Sequence, residues 1–129
     1  MIDTNIAIHL RDGLESVLRR IEAHSGAVAI SALSLAELQR GLYKSPALWA
    51  SRKARLDTIL RSIPILPFDA EAVEAYGRIV AQIGWSRGRE FDRMIAGHAL
   101  ATRRVLVTAN TADFADVPGL AIENWVIDA

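Results

Sequence analysis

There is no cysteine in these 129 residues, and that absence removes several chemistries at once. A disulfide framework, thiolate-bound zinc, an iron–sulfur cluster and a cysteine nucleophile are all excluded, and the pattern suits a reducing cytoplasm. Charge of one sign is also missing. Fifteen Lys and Arg balance 15 Asp and Glu, so net charge names no partner. No apolar run approaches the roughly 18 residues of a membrane span, and the first residues lack the charged-then-apolar pattern of a signal peptide. The expectation is a soluble, cytoplasmic protein with no membrane partner. No repeat, low-complexity tract or linker divides the chain, so residues 1–129 are expected to form one domain able to bury its own core. Glycine-rich phosphate loops, a nucleophile elbow and HExxH are absent as well. His9, His24 and His98 fall on different predicted helices without ligand spacing, and each reads as a surface or core residue.

What is present is apolar. Half of the residues are hydrophobic (51%), more than a small soluble monomer needs for its core, so some of that surface is expected in an oligomer or partner interface. The charges are unevenly spread: residues 40 to 61 hold Arg40, Lys44, Arg52, Lys53, Arg55 and Arg61 against Asp57 alone. Such a stretch can meet a polyanion; it can equally be a solvated helix face.

The pattern along the chain alternates short apolar runs with helical periodicity. Met1-Ile2 reads as a strand stopping at Asp3, followed by helices over Ile6 to Leu10 and Leu14 to Ala23. Ala27 to Ile30 has strand length, and Ser31 to Ser34 turns it into a helix over Leu35 to Tyr43 that stops before Ser45-Pro46. A long amphipathic helix is predicted over Leu48 to Ser62. The two prolines of Ile63 to Phe68 place a short strand at or near a sheet edge. Asp69 caps a helix over Ala70 to Ile83, residues 84 to 88 form a loop, and Phe91 to Thr102 is an alanine-rich helix. Val105 to Val107 and Leu120 to Ile122 complete the strands. This order indicates a three-layer α/β domain around a parallel sheet.

Three strands run into polar residues at their carboxyl ends, the edge where open α/β sheets bind ligands. They are Ile2 into Asp3, Ile30 into Ser31, and Val107 into Thr108-Ala109-Asn110. Glu37 and Asp92 stand near helix starts. Each carboxylate has a structural alternative. Asp3 or Thr4 can simply cap the following helix, Ser34-Leu35-Ala36-Glu37 has capping-box spacing, and Asp92, heading the mostly apolar face of Ala96, Ala99 and Arg103 with Ile95 beside them, is either a cap or a ligand. Were these carboxylates to converge, repulsion and desolvation would raise their pKa values unless a cation offset the charge. An all-oxygen donor set selects Mg²⁺ or Mn²⁺ over zinc, and such an ion suits phosphodiester hydrolysis.

Taken together, Asp3-Thr4-Asn5, Ser34-Leu35-Ala36-Glu37-Leu38 with Gly41, Ile65-Leu66-Pro67-Phe68-Asp69, Asp92-Arg93-Met94-Ile95-Ala96 with His98-Ala99-Leu100, and Leu106-Val107-Thr108 with Asn110 and Phe114 resemble a PIN-domain ribonuclease. The resemblance is to the VapC-type toxins of type II toxin–antitoxin pairs and covers nearly the whole chain. It implies a three-layer α/β/α fold with a short-stranded, mostly parallel sheet of about five strands. It also implies a Mg²⁺- or Mn²⁺-dependent endoribonuclease that cuts RNA and so inhibits translation. Asp3 and Asp92 would be the principal metal ligands, Glu37 would act directly or through water, and Thr108 would hold the geometry. The implied partners are a second copy of the chain and a small antitoxin that forms a heterooligomer with it and carries it to operator DNA. Two features depart from the pattern. Asn110 stands where many relatives have aspartate, with Asp113 as a substitute or as the cap of a turn before Phe114, and only Met1 and Ile2 precede Asp3. The neutral Asn110 keeps a second reading open, a catalytically weak PIN-fold binding module acting in a DNA-bound regulatory complex. A small-molecule phosphohydrolase is a third, disfavoured by the lack of a phosphate-cradling loop.

Overall fold

The computed structural model of the chain describes residues 1–127. At its centre is Ile2, which bridges in parallel to Ile30 on one side and Val107 on the other. Its N–H donates to the Ala29 carbonyl at 3.0 Å, the Asp3 N–H to the Val107 carbonyl at 3.0 Å, and the Val107 N–H to the Met1 carbonyl at 2.8 Å. Strand β1 (Ile30–Ser31) pairs in parallel with β2 (Ile65–Leu66), and β3 (Leu106–Val107) with β4 (Ile122–Glu123). The sheet order is therefore β2, β1, the opening residues, β3, β4, with the predicted five-fold pattern reduced at its centre to one bridging residue. As expected from its prolines, β2 lies at an edge.

Ladders this short contribute few hydrogen bonds, so the helices must hold the fold by packing on both faces. Successive strand residues point to opposite faces. Ile2, Ile30 and Val107 accordingly join Ile6, Leu38, Leu42 and Leu56 in one apolar cluster, while Met1 and Leu106 join Ile79, Ile95 and Phe114 in the other. The first face is covered by α1 (Thr4–Arg11), α2 (Glu15–Ala23), α3 (Ala32–Lys44) and α4 (Trp49–Leu60), with a 3₁₀ turn at Pro46–Leu48. The second is covered by α5 (Ala70–Ile83), α6 (Glu90–Ala101) and α7 (Thr111–Phe114). The layers expected from the sequence are these. Helices α5 and α6 approach closely at Gly97: a Cβ there would lie 2.7 Å from the Tyr76 nitrogen and 2.9 Å from its Cα.

Several boundaries differ from the sequence reading, among them β1, which falls at Ile30–Ser31 instead of Ala27 to Ile30. Helix α3 starts at Ala32 rather than Leu35, because Ser31 is its N-cap and accepts from the Leu33 N–H at 3.1 Å. The predicted long helix over Leu48 to Ser62 runs from Trp49 to Leu60, with Pro46 opening a separate 3₁₀ turn where its fixed φ suits a first helical position. The short α7 was not predicted, its four residues being too few to show a period. Strand β4 falls at Ile122–Glu123, later than Leu120 to Ile122. Among the described residues no helix is long and apolar enough to cross a membrane.

Candidate active site

The carboxyl ends of the strands open into a cleft of about 250 Å³ lined by Asp3, Thr4, Asn5, Glu37, Asp92 and Asn110, with Arg40, Gly41, Lys44 and Phe91 beside them. Asp3 is both a helix cap and a cleft residue. Its Oδ1 accepts from the Ile6 N–H at 2.9 Å, which makes it the N-cap of α1, and its carboxylate also faces the cleft at 7% exposure. Thr108, fully buried at the end of β3, hydrogen-bonds the Asp3 carboxylate through its side chain and accepts from the Asn110 N–H at 3.0 Å. It supports the cleft from behind rather than lining it.

Glu37 is not the partner of a capping box. Because α3 begins at Ala32, Ser34 already lies inside the helix, and its buried Oγ has no hydrogen-bond partner among the described residues. Glu37 instead accepts from the Thr4 hydroxyl at 2.6 Å, a bond that ties α3 to α1 across the cleft. Asp92 stands in the first turn of α6, whose N-cap residue Arg89 makes no side-chain cap bond. The loop's Gly88 N–H is taken by Glu90 at 3.0 Å. Asp92 is thus left facing the cleft, where a negative charge is favoured by the helix dipole.

The charges interact. Burial pushes the Asp3 carboxyl above its ordinary value and Glu37 adds to the rise, while the Thr108 hydroxyl and the Ile6 N–H pull it down. Burial also raises Asp92, as do Asp113, Glu37 and Asp3, with Arg89 pulling the other way. Asp113, in α7, therefore acts on the cleft through its charge without lining it. Arg93, next in sequence to Asp92, is committed elsewhere: its two terminal nitrogens grip Asp116 at 2.7 and 2.9 Å.

Among the described residues no three carboxylate or imidazole side chains stand close enough together to form a closed cage around one ion. The donor set is nonetheless one that suits a hydrated hard cation. Asp3 and Asp92 repel each other and Glu37, all their donors are oxygen, and Mg²⁺ is commonly held by one or two carboxylates with water in its other positions.

Two sequence expectations need correction. Ser31 does not serve the cleft. It is fully buried, caps α3, and its Oγ lies 2.8 Å from Nδ1 of the buried His98, whose ring also stands edge-on to Phe68. The basic stretch of residues 40 to 61 also divides. Arg52 does not line the cleft, and Arg55 lines a separate hollow against the end of α1. Arg40 and Lys44 line the cleft. They stand three and seven residues beyond Glu37 on one helix, and that spacing alone would have placed them on its face. A further cavity of about 240 Å³, with Ile2, His24, Arg104 and Trp125 in its lining, lies at the amino ends of the strands, away from the acidic residues.

The chain has relatives among known proteins. Residues 1–120 match the family model of the PIN domain. The chain is 35% identical to the protein named Ribonuclease VapC2 of Rickettsia felis, over 97% of this chain and 96% of that one. It is 36% identical to the tRNA(fMet)-specific endonuclease VapC of Shigella flexneri, over the same shares. Among solved structures, VapBC2 of Rickettsia felis bound to a DNA fragment of its promoter superposes with a TM-score of 0.86 at 34% identity, covering 97% of both chains. DNA-bound VapBC of Salmonella typhimurium gives 0.86 at 30% identity, over 97% of this chain and 96% of its own. The chain belongs to the PIN-domain family, among the homologues of the VapC ribonucleases.

Proposed function

We propose that the chain is a VapC-type endoribonuclease toxin: it hydrolyses RNA phosphodiester bonds in the cytoplasm with Mg²⁺ or Mn²⁺, and a small antitoxin restrains it. The observation that carries this reading is the meeting of Asp3, Glu37 and Asp92, remote in sequence, at one cleft where their charges repel. The relatives named as ribonuclease and tRNA endonuclease give the reaction class. The solved VapBC complexes on DNA support an antitoxin partner and attachment to operator DNA through it.

In this reading Asp3 and Asp92 hold the cation. When bound, Mg²⁺ or Mn²⁺ supplies Lewis-acid chemistry, offsetting the charge that builds on the phosphate and acidifying water. The protein's own groups do the rest. Thr108 and the Ile6 N–H aim Asp3 and favour its ionised form against the effect of burial. Glu37, with Oε1 held by Thr4, has Oε2 left to accept the proton of a water that attacks phosphorus as the bond to the leaving ribose oxygen breaks. The exposed Tyr43, Leu48, Trp49 and Trp85 provide apolar surface for the antitoxin and for a second copy of the chain.

Asn110 favours one rival reading, a weak nuclease serving mainly as a binding module, because the cleft lacks a carboxylate at that position. Brief incubation of the purified chain with RNA and Mn²⁺ separates the two. Cleavage that EDTA stops and that Asp92→Asn abolishes supports the nuclease, and cleavage that survives both refutes it. If calorimetry finds no Mn²⁺ binding that depends on Asp3, the binding module is the better account.

A further inference from the structure

Helix α3 presents more than one carboxylate to the cleft. Glu37, Arg40, Gly41 and Lys44 all line it, at spacings of three, four and seven residues, which is one stripe of an α-helix. By helical rise Arg40 lies about 4.5 Å and Lys44 about 10 Å along the axis from Glu37. Charge thus changes sign along the stripe, acidic beside Asp3 and Asp92 and basic farther out. A polyanion faces repulsion at the acidic end and needs cations nearby to hold it there. Arg40 and Lys44 are free to supply them. Among the described residues neither takes part in an ion pair, whereas Arg11, Lys53 and Arg93 are bound to Asp12, Asp57 and Asp116. Between them Gly41 leaves the wall bare: a Cβ added there would meet nothing within 4 Å.

From this arrangement we propose that Arg40 and Lys44 are a phosphate track for single-stranded RNA. They hold the phosphates to one side of the bond being cut, and the strand lies over Gly41. This inference rests on the nuclease reading and names how its cleft holds substrate. Contacts to phosphates position a strand without reading its bases, so the track supplies affinity and register rather than sequence preference.

The test measures binding and cutting separately. Anisotropy of a labelled single-stranded RNA is followed against KCl concentration with the Asp92→Asn chain, alone and with Arg40→Gln, Lys44→Gln or both added. Each phosphate contact contributes about 0.7 to the slope of log K against log salt for a single strand. The double substitution should therefore flatten the slope by about 1.4, while Lys53→Gln, outside the cleft and already paired with Asp57, leaves it unchanged. Arg40→Lys with Lys44→Arg should restore the slope. In the otherwise unaltered enzyme Gly41→Leu should raise KM at least tenfold without lowering the melting temperature. A slope indifferent to both substitutions overturns the track, and so does an acidic peptide that competes for the pair while RNA affinity ignores it. If the parent chain cuts no RNA yet binds it with a slope set by these two residues, the track stands and the nuclease reading falls.

Discussion

Gly97 and Gly77 should respond in opposite directions to the same change. Both are interior helical glycines, so alanine at either gains about 1 kcal/mol of helix propensity. At Gly77 an added Cβ meets nothing within 4 Å, and Gly77→Ala should stabilise by roughly that amount. At Gly97 it would lie 2.7 Å from the Tyr76 nitrogen, 2.9 Å from its Cα and 3.2 Å from the Ala75 carbonyl carbon. Those atoms are backbone and cannot rotate aside, so α5 and α6 must part by several tenths of an ångström. Overpacking of this kind costs about 1–3 kcal/mol. Set against the propensity gain, Gly97→Ala should destabilise by about 1 kcal/mol, a fall of about 3–6 °C in melting temperature for a chain of this size. Asp92 lies on the helix that must move, so Mn²⁺ affinity should fall as well. Thermal unfolding of the two variants beside the parent, followed by Mn²⁺ calorimetry, decides the matter. Equal stabilisation by both alanines would refute the close approach of α5 and α6.

Three other outcomes follow from the site. Asp92 is raised above its ordinary value of 3.8, so the folded chain holds that proton more tightly than the unfolded chain, and stability falls as pH rises from about 4 through the raised value. In EDTA, Asp92→Asn should therefore raise the melting temperature at pH 7, with the gain shrinking as pH is lowered toward 4; a melting temperature lower than the parent's at pH 7 would contradict the repulsion. Thr4→Val frees Glu37 while keeping the side chain's shape, so kcat for RNA cutting should fall about tenfold with KM little changed, and Thr4→Ser should recover most of it. Ser31→Ala removes the cap of α3 and a hydrogen-bond partner of buried His98, a loss of about 2–3 kcal/mol in urea unfolding.

The layers, the edge position of β2 and the loop over residues 84–88 were legible because apolar runs, prolines and glycines mark them locally. The shared carboxyl edge of parallel strands pointed to Asp3 alone among the three acids; that Glu37 and Asp92 join it was implied by the family resemblance, since each stands near a helix start where a cap was also open. Periodicity could not tell Glu37 the cap from Glu37 the cleft residue, since Ser34 and Ser31 are both acceptable N-caps. What decides between them is tertiary: His98, 67 residues away, meets Ser31, and Thr4 takes Glu37. Ser31 was for the same reason mistaken for a cleft residue. Arg40 and Lys44 were visible as charges but were grouped by sequence proximity with Arg52 and Arg55, when the period of α3 assigned them to Glu37's face.

Carboxylates that repel one another can share a cleft only if something else fixes each of them, and here the anchors are all structural. Asp3 is held by the first turn of α1 and by Thr108, and Glu37 by Thr4. Asp92 is carried on α6, which is packed onto α5 through Gly97 and tied by Arg93 to Asp116. None of these anchors neutralises the charge it positions. Arg93, the cation nearest to Asp92 in sequence, is held by Asp116, so the repulsion persists instead of being relieved within the fold. That residual charge is what a divalent cation would relieve. Cation affinity and the stability of the metal-free chain are therefore expected to oppose each other residue by residue: a substitution that quiets the cleft should strengthen the fold as it weakens the ion's hold.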